Sequence, residues 1–185
     1  MPNWCSNSLV LRHDNPEMIV RAYKAFTRGE FCNEFKPVPQ ELRDVSSPNR
    51  SDNVDQLIEK YGYADWYSFC VNEWGTKWDF GDDNGINEVT DDSLTVYFDS
   101  AWAPPIAMMA ILEDLGFEVN LMYCESGMGF CGQYSEGFDD FYEYGGMSAD
   151  EMDEQLPPEL NEAFCISENQ RMWEEENAEE NEDES

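Results

Sequence analysis

The chain has 185 residues, 41% of them hydrophobic and 14% aromatic, with a formal net charge of −31. So much aromatic content excludes a wholly disordered chain, and the length suits one domain with a core and room for an insertion. The charge argues against a basic surface that holds nucleic acid directly.

The charge is lopsided. Residues 1–78 carry nine Lys/Arg against eleven Asp/Glu; residues 79–185 carry one against thirty. Lys77 is followed by no basic residue until Arg171. The last twelve residues hold eight acids, so twenty-two remain between 79 and 173. Self-repulsion on that scale works against a compact state, so the charge serves either a partner or solubility.

In chain order, residues 6–12 read as a first strand. Asp14 or Asn15 caps a helix with Pro16 at its first position, and Ile19, Ala22, Tyr23 and Phe26 form its apolar face. Residues 30–51, with Pro37, Pro39 and Pro48, read as an irregular connection. Two helical stripes follow, Val54/Leu57/Ile58/Tyr61 and Tyr67/Val71/Trp74, divided near Gly62 and ended by Gly75. Short strands are expected at about 86–91 and 94–100. Pro104-Pro105 open an apolar helix that Gly116 closes, and Phe117, Val119, Leu121 and Tyr123 alternate in the next strand. Gly127-Met128 suits a two-residue hairpin with glycine first, which sets Cys124 opposite Cys131. Residues 137–173 read as an acidic extension, with a helix over 157–176 starting at Pro157-Pro158, and 174–185 as a disordered tail.

The order is β-α-β-β-α-β plus one strand. That is an α+β, ferredoxin-like split β-α-β sheet over residues 1–136, with a helical insertion at about 30–85 and an acidic C-terminal extension.

Three segments, MPNWCSN, EWGTKWD and FDSAWAPP, resemble the YubB-like proteins of plasmids and phages over roughly residues 1–135. The resemblance implies carriage on a mobile element and a ferredoxin-like core. It implies no reaction and no catalytic residues. The acidic segment after 137 departs from that pattern.

Two groups of residues are candidates for function. The first is Trp4, Cys5, Asn7, Trp74, Lys77, Trp78, Asp79, Asp99, Ser100 and Trp102. Read as a pocket, the indoles are walls and Lys77 with the carboxylates are anchors for a small, nucleotide-like ligand. Read as a seam, the tryptophans join insertion to core and Lys77 pairs with a carboxylate. The second group is Asp82, Asp83, Asp91, Asp92, Glu136, Asp139, Asp140 and Glu143, acids that could face a partner. Duplex DNA carries one charge per about 1.7 Å of axis, so twenty-two acids match about 37 Å of duplex.

Catalysis has little support. Cys5 and the single histidine, His13, fall near opposite ends of one strand, and no phosphate loop or nucleophile elbow occurs. A calcium loop over 80–91 fails at its first position, Phe80, which leaves at most a weak ion at Asp79, Asp82 and Asp83. Cys124 and Cys131 read as free thiols. The opening MPNWCSNSLV has no basic stretch before an apolar run, so no signal peptide is expected. These readings together predict a cytoplasmic, non-enzymatic protein without cofactor, metal, membrane or direct nucleic-acid contact. Its partner would be a basic host protein, nucleic-acid-binding or defensive, that it blocks as a nucleic-acid mimic.

Overall fold

Alternation along Trp4–Arg12 starts the sheet. Cys5, Leu9 and Leu11 are fully buried on one face of this strand, β1, while Trp4, Ser6 and Arg12 face outward. The computed structural model describes residues 3–183, with side chains through residue 178. The element order is β1, α1 (Pro16–Thr27), α2 (Phe31–Phe35), α3 (Gln40–Arg43), α4 (Val54–Tyr61), α5 (Trp66–Glu73), β2 (Ile86–Val89), β3 (Ser93–Ala101), α6 (Ile106–Asp114), β4 (Glu118–Glu125), β5 (Phe130–Ser135), β6 (Phe138–Glu143), α7 (Ala149–Gln155), α8 (Pro158–Phe164) and α9 (Ile166–Asp183).

The strands form one antiparallel sheet in the order β2-β3-β1-β4-β5-β6. Its first four positions are those of the split β-α-β arrangement that the sequence order predicts. α1 starts as expected: Asn15 accepts from the Glu17 N–H and Pro16 takes the first turn.

One face of the sheet carries the main core. Leu9, Leu94, Val96 and Leu121 meet Phe26 from α1 and Met108, Met109 and Leu112 from α6. The insertion joins that same core through Phe31, Leu42, Leu57, Phe69, Trp74 and Phe80, so it is not a separate unit. The connection expected to be irregular over 30–51 contains α2 and α3. The Asp79 carboxylate accepts from the Cys32 and Asn33 N–H groups at 2.7 and 2.9 Å, which ties the start of α2 to the end of the insertion. Ile58 and Val71, placed on apolar stripes by their spacing, are instead exposed.

On the opposite face, a smaller cluster covers only β4 and β5. Cys124 and Cys131 pack there with Tyr144, Met152, Leu156, Leu160 and Ile166 from the C-terminal segment. Cys124 does face Cys131, as the hairpin register requires. The turn is longer than expected, spanning 126–129, and its left-handed residue is Gly129 at φ 71° rather than Gly127. A longer loop about the same centre keeps the same register.

Three further differences concern the acidic half. Residues 138–143 form β6, an edge strand that belongs to the sheet. The expected single helix over 157–176 is two helices, broken where Cys165 turns left-handed at φ 51°, with the Asn161 side chain accepting from the Ser167 N–H. The expected disorder over 174–185 is helix as far as Asp183; residues 184–185 lie outside the described residues.

Candidate interaction face and cleft

The antiparallel register decides which side chains share a face. Ser6 pairs with Asp99 and Ser8 with Tyr97 in β1–β3, and Ser6 pairs with Cys124 in β1–β4. Trp4, Ser6, Tyr97 and Asp99 therefore lie on the same side of the sheet as the Cys124 cluster. The C-terminal helices cover that side only over β4 and β5. The half formed by β2, β3 and β1 stays open, with Trp4 and Tyr97 each 51% exposed.

Trp102 follows the end of β3, next to Trp4's partner Ala101. Its N–H donates to the Asn3 carbonyl at 3.0 Å, beside Trp4, and its side chain is 51% exposed. Its backbone lies at φ 76°, a conformation that costs a bulky residue roughly 1–2 kcal/mol. Trp78 packs against Trp4 with ring centroids 5.9 Å apart and the rings tilted by 37°. On the same face, Asp99 accepts from the Ser6 hydroxyl at 2.9 Å.

The expected pocket group thus divides. Trp4 and Asp99 belong to the open face, and Trp102 follows the end of β3 with its side chain exposed. Asn7 belongs to neither surface: it is buried on the core side, where its amide donates to Cys5 O, Phe98 O and Ser100 Oγ. Its Oδ1 is buried with no hydrogen-bond partner. Trp74, Lys77 and Trp78 line a cleft of about 420 Å³ on the insertion, with Arg43, Trp66, Cys70, Asn33 and Asp79. Trp78 lines that cleft without Trp4 or Trp102.

Seam features are present as well. Trp74 is buried and its indole N–H donates to Lys36 O at 2.9 Å, fixing α5 to the loop after α2. Among the described residues the ion pair that a seam would give Lys77 is not found. Its ammonium sits 4.4 Å from the Trp78 ring and 5.9 Å from Tyr67. Burial holds the Asp79 carboxyl above its usual range, although three backbone N–H groups pull the other way. Burial also pushes the Cys70 thiol up to about 12. Arg43, Trp66, Asn33 and Cys70 escape a reading along the chain because only the folded insertion brings them together.

The eight acids are all exposed, but they do not form one ridge. Asp82, Asp83, Asp91 and Asp92 lie at the β2–β3 end; Glu136, Asp139, Asp140 and Glu143 lie at β6. Five strand spacings of about 4.8 Å separate those edges by about 24 Å. That is three Debye lengths of about 8 Å, so the edges act as separate patches. Some of these carboxylates have local duties. Asp82 accepts from Asn84 and Gly85 N–H, and Asp139 accepts from the Tyr123 hydroxyl at 2.6 Å. Asp79 is turned inward and Asp82 caps its own turn, so the weak ion left open at Asp79, Asp82 and Asp83 finds no assembled set of ligands. Among the described residues no group of three His, Cys, Asp or Glu is placed to hold a metal.

His13 has a structural post. It takes the Asn15 N–H at Nδ1, lies 3.2 Å from Leu115 O through Nε2, and packs edge-on against Phe117. Cys5 is buried at the other end of β1. No helix among the described residues is long and apolar enough to cross a membrane.

The strand order β2-β3-β1-β4, with α1 and α6 on one face, is the arrangement against which known proteins can be compared. Residues 73–155 match the family described as the ferredoxin-like domain in Api92-like protein. The match to that ferredoxin-like domain starts at the end of α5 and runs through β6 and α7, past residue 136, where the sequence placed the end of the domain. No curated protein matches the chain. The crystal structure of the protein api92 from Yersinia pseudotuberculosis is similar at 13% identity and a TM-score of 0.42, over 79% of this chain and 99% of that one.

Proposed function

We propose that the chain is a non-enzymatic binding protein whose open sheet face docks on a basic protein. The observation that carries this reading is the exposure of three large aromatics, Trp4, Tyr97 and Trp102, each 51% exposed on or beside the uncovered half of the sheet. Tryptophan and tyrosine dominate the energetics of protein interfaces, and a folded chain exposes them together at a cost in solubility. An exposed indole on strained backbone at Trp102 points the same way, because strain persists where function holds it.

The acids give the partner its sign. Exposed carboxylates at the β2–β3 end border the aromatic face, Asp99 lies within it, and those of β6 lie beyond the covered half of the sheet. A partner groove built for nucleic acid has the complementary charge. Blocking such a groove, on behalf of a mobile element and against a host nucleic-acid-binding or defence protein, is the specific form of the proposal. The split of the acids into two patches makes the aromatic face the anchor and the edges the steering elements.

The test is competition. Basic nucleic-acid-binding proteins retained from a bacterial extract by the immobilised chain should be released by duplex DNA. Retention should fall with Trp4→Ser and Tyr97→Ser but not with Ile58→Ser, an exposed apolar residue on α4. Equal retention by all variants, or no release by DNA, would sink the proposal.

A further inference from the structure

The insertion carries a second surface of a different character. Its cleft is walled by Trp66, Trp74 and Trp78, and Arg43 and Lys77 line it. In a chain with ten basic residues and a charge of −31, ion pairing is easily had. Arg21, Arg28, Lys36, Lys60 and Arg171 each hold a carboxylate within 3.3 Å. Among the described residues Arg12, Lys24, Arg43, Arg50 and Lys77 hold none, and of these five Arg43 and Lys77 line the cleft. Arg43 donates instead to the Asn33 side chain, and Lys77 lies over Trp78 and Tyr67.

The carboxylates on the cleft wall are engaged elsewhere. Glu30 accepts from Arg28 at 3.3 Å, and Asp79 accepts from three backbone N–H groups. With a Debye length of about 8 Å, the distant acids of the sheet edges do not set the potential here. The cleft therefore offers indole surface beside two cations that make no ion pair, with Glu30 and Asp79 also on its wall. Its volume of about 420 Å³ lies toward the small end of ligand sites. Two cations suit a dianion better than a monoanion, and a phosphate monoester carries about −1.5 to −2 at neutral pH.

We propose that this cleft binds a small aromatic phosphate monoester, the chemistry of a nucleoside monophosphate, with the base against the tryptophans and the phosphate between Lys77 and Arg43. Binding is reversible and needs no covalent step. Lys77 leaves the Trp78 ring for the phosphate, which frees an indole face for the base.

Titration of the full chain with AMP, followed by tryptophan fluorescence and calorimetry, tests this. Saturable binding is expected, weakened roughly tenfold by each of Lys77→Met and Arg43→Gln. Arg43 is exposed, so its variant retains the fold even if the Lys77 variant does not; circular dichroism checks both. Adenosine, which lacks the phosphate, and ribose 5-phosphate, which lacks the ring, should each bind at least about tenfold more weakly than AMP. The absence of saturable binding at millimolar AMP overturns the proposal, as does equal binding by adenosine or by Arg43→Gln. Arg43→Gln leaves Trp4, Tyr97 and Trp102 intact, so failure here and failure of partner docking are distinguishable.

Discussion

Trp102 concentrates the argument at the scale of single residues. A tryptophan at φ 76° is strained, and half its surface meets solvent, so packing alone does not account for it. Replacing it with glycine relieves the backbone while losing the exposed indole. Trp102→Gly should leave unfolding free energy within about 1 kcal/mol of the parent, measured by denaturant titration, while partner retention drops. A large loss of stability would make Trp102 a packing residue instead. The thiols follow a separate logic. Cys5, Cys32, Cys70, Cys124 and Cys131 are buried, and burial raises each thiol's pKa, Cys131 to about 12. Only Cys165 is exposed. Alkylation of the native protein at pH 8 should therefore modify Cys165 first, with the other five reacting only on unfolding; mass spectrometry of the digest reads this directly. Early labelling of Cys124 and Cys131 would contradict the covered face over β4 and β5.

At the scale of elements, β6 shows what the sequence did and did not make legible. Leu94, Val96, Val119 and Leu121 alternate because their strands bury one face against helices, and that period is readable. FDDFYE has no such period, because five of its six residues are exposed at the sheet edge. Its turn is also disguised. Glu136 at φ 51° and Gly137 at φ 78° have the positive φ values of a type I′ hairpin, whose usual first residue is asparagine or aspartate rather than glutamate. Glu136→Asn should thus stabilise the protein by roughly 0.5–1 kcal/mol, and Glu136→Val should destabilise it, as read from thermal unfolding. If both variants matched the parent, the turn assignment would be wrong. The break at Cys165 is unreadable for a related reason, since cysteine carries no left-handed preference. The Arg43 side of the cleft was hidden for another. Its position depends on contacts far apart in sequence, such as the Asp79 carboxylate on α2 and the Trp74 indole on Lys36 O.

The whole molecule separates three properties that the sequence merges. Tryptophans near Lys77 read as one group along the chain, yet they divide between an open sheet face and a cleft on the insertion, with Trp78 touching both. The eight candidate acids read as part of one run after residue 79, yet they sit at two sheet edges about 24 Å apart. What joins them is the sheet between, half of it uncovered and studded with exposed aromatic rings. A partner that fits this arrangement meets the open aromatic half together with the acids at the β2–β3 end that border it, the β6 acids lying past the covered strands. Its affinity should fall with added salt, since the acids steer by charge, while the aromatic half keeps a salt-insensitive remainder. The most direct measurement places a photo-crosslinker at position 97, in the centre of the open face, and at position 58 on α4 as a control. The account predicts that basic nucleic-acid-binding proteins are captured from position 97, that duplex DNA abolishes the capture, and that position 58 captures none of them. Equal capture from both positions, or capture from position 97 that duplex DNA leaves unchanged, would contradict it.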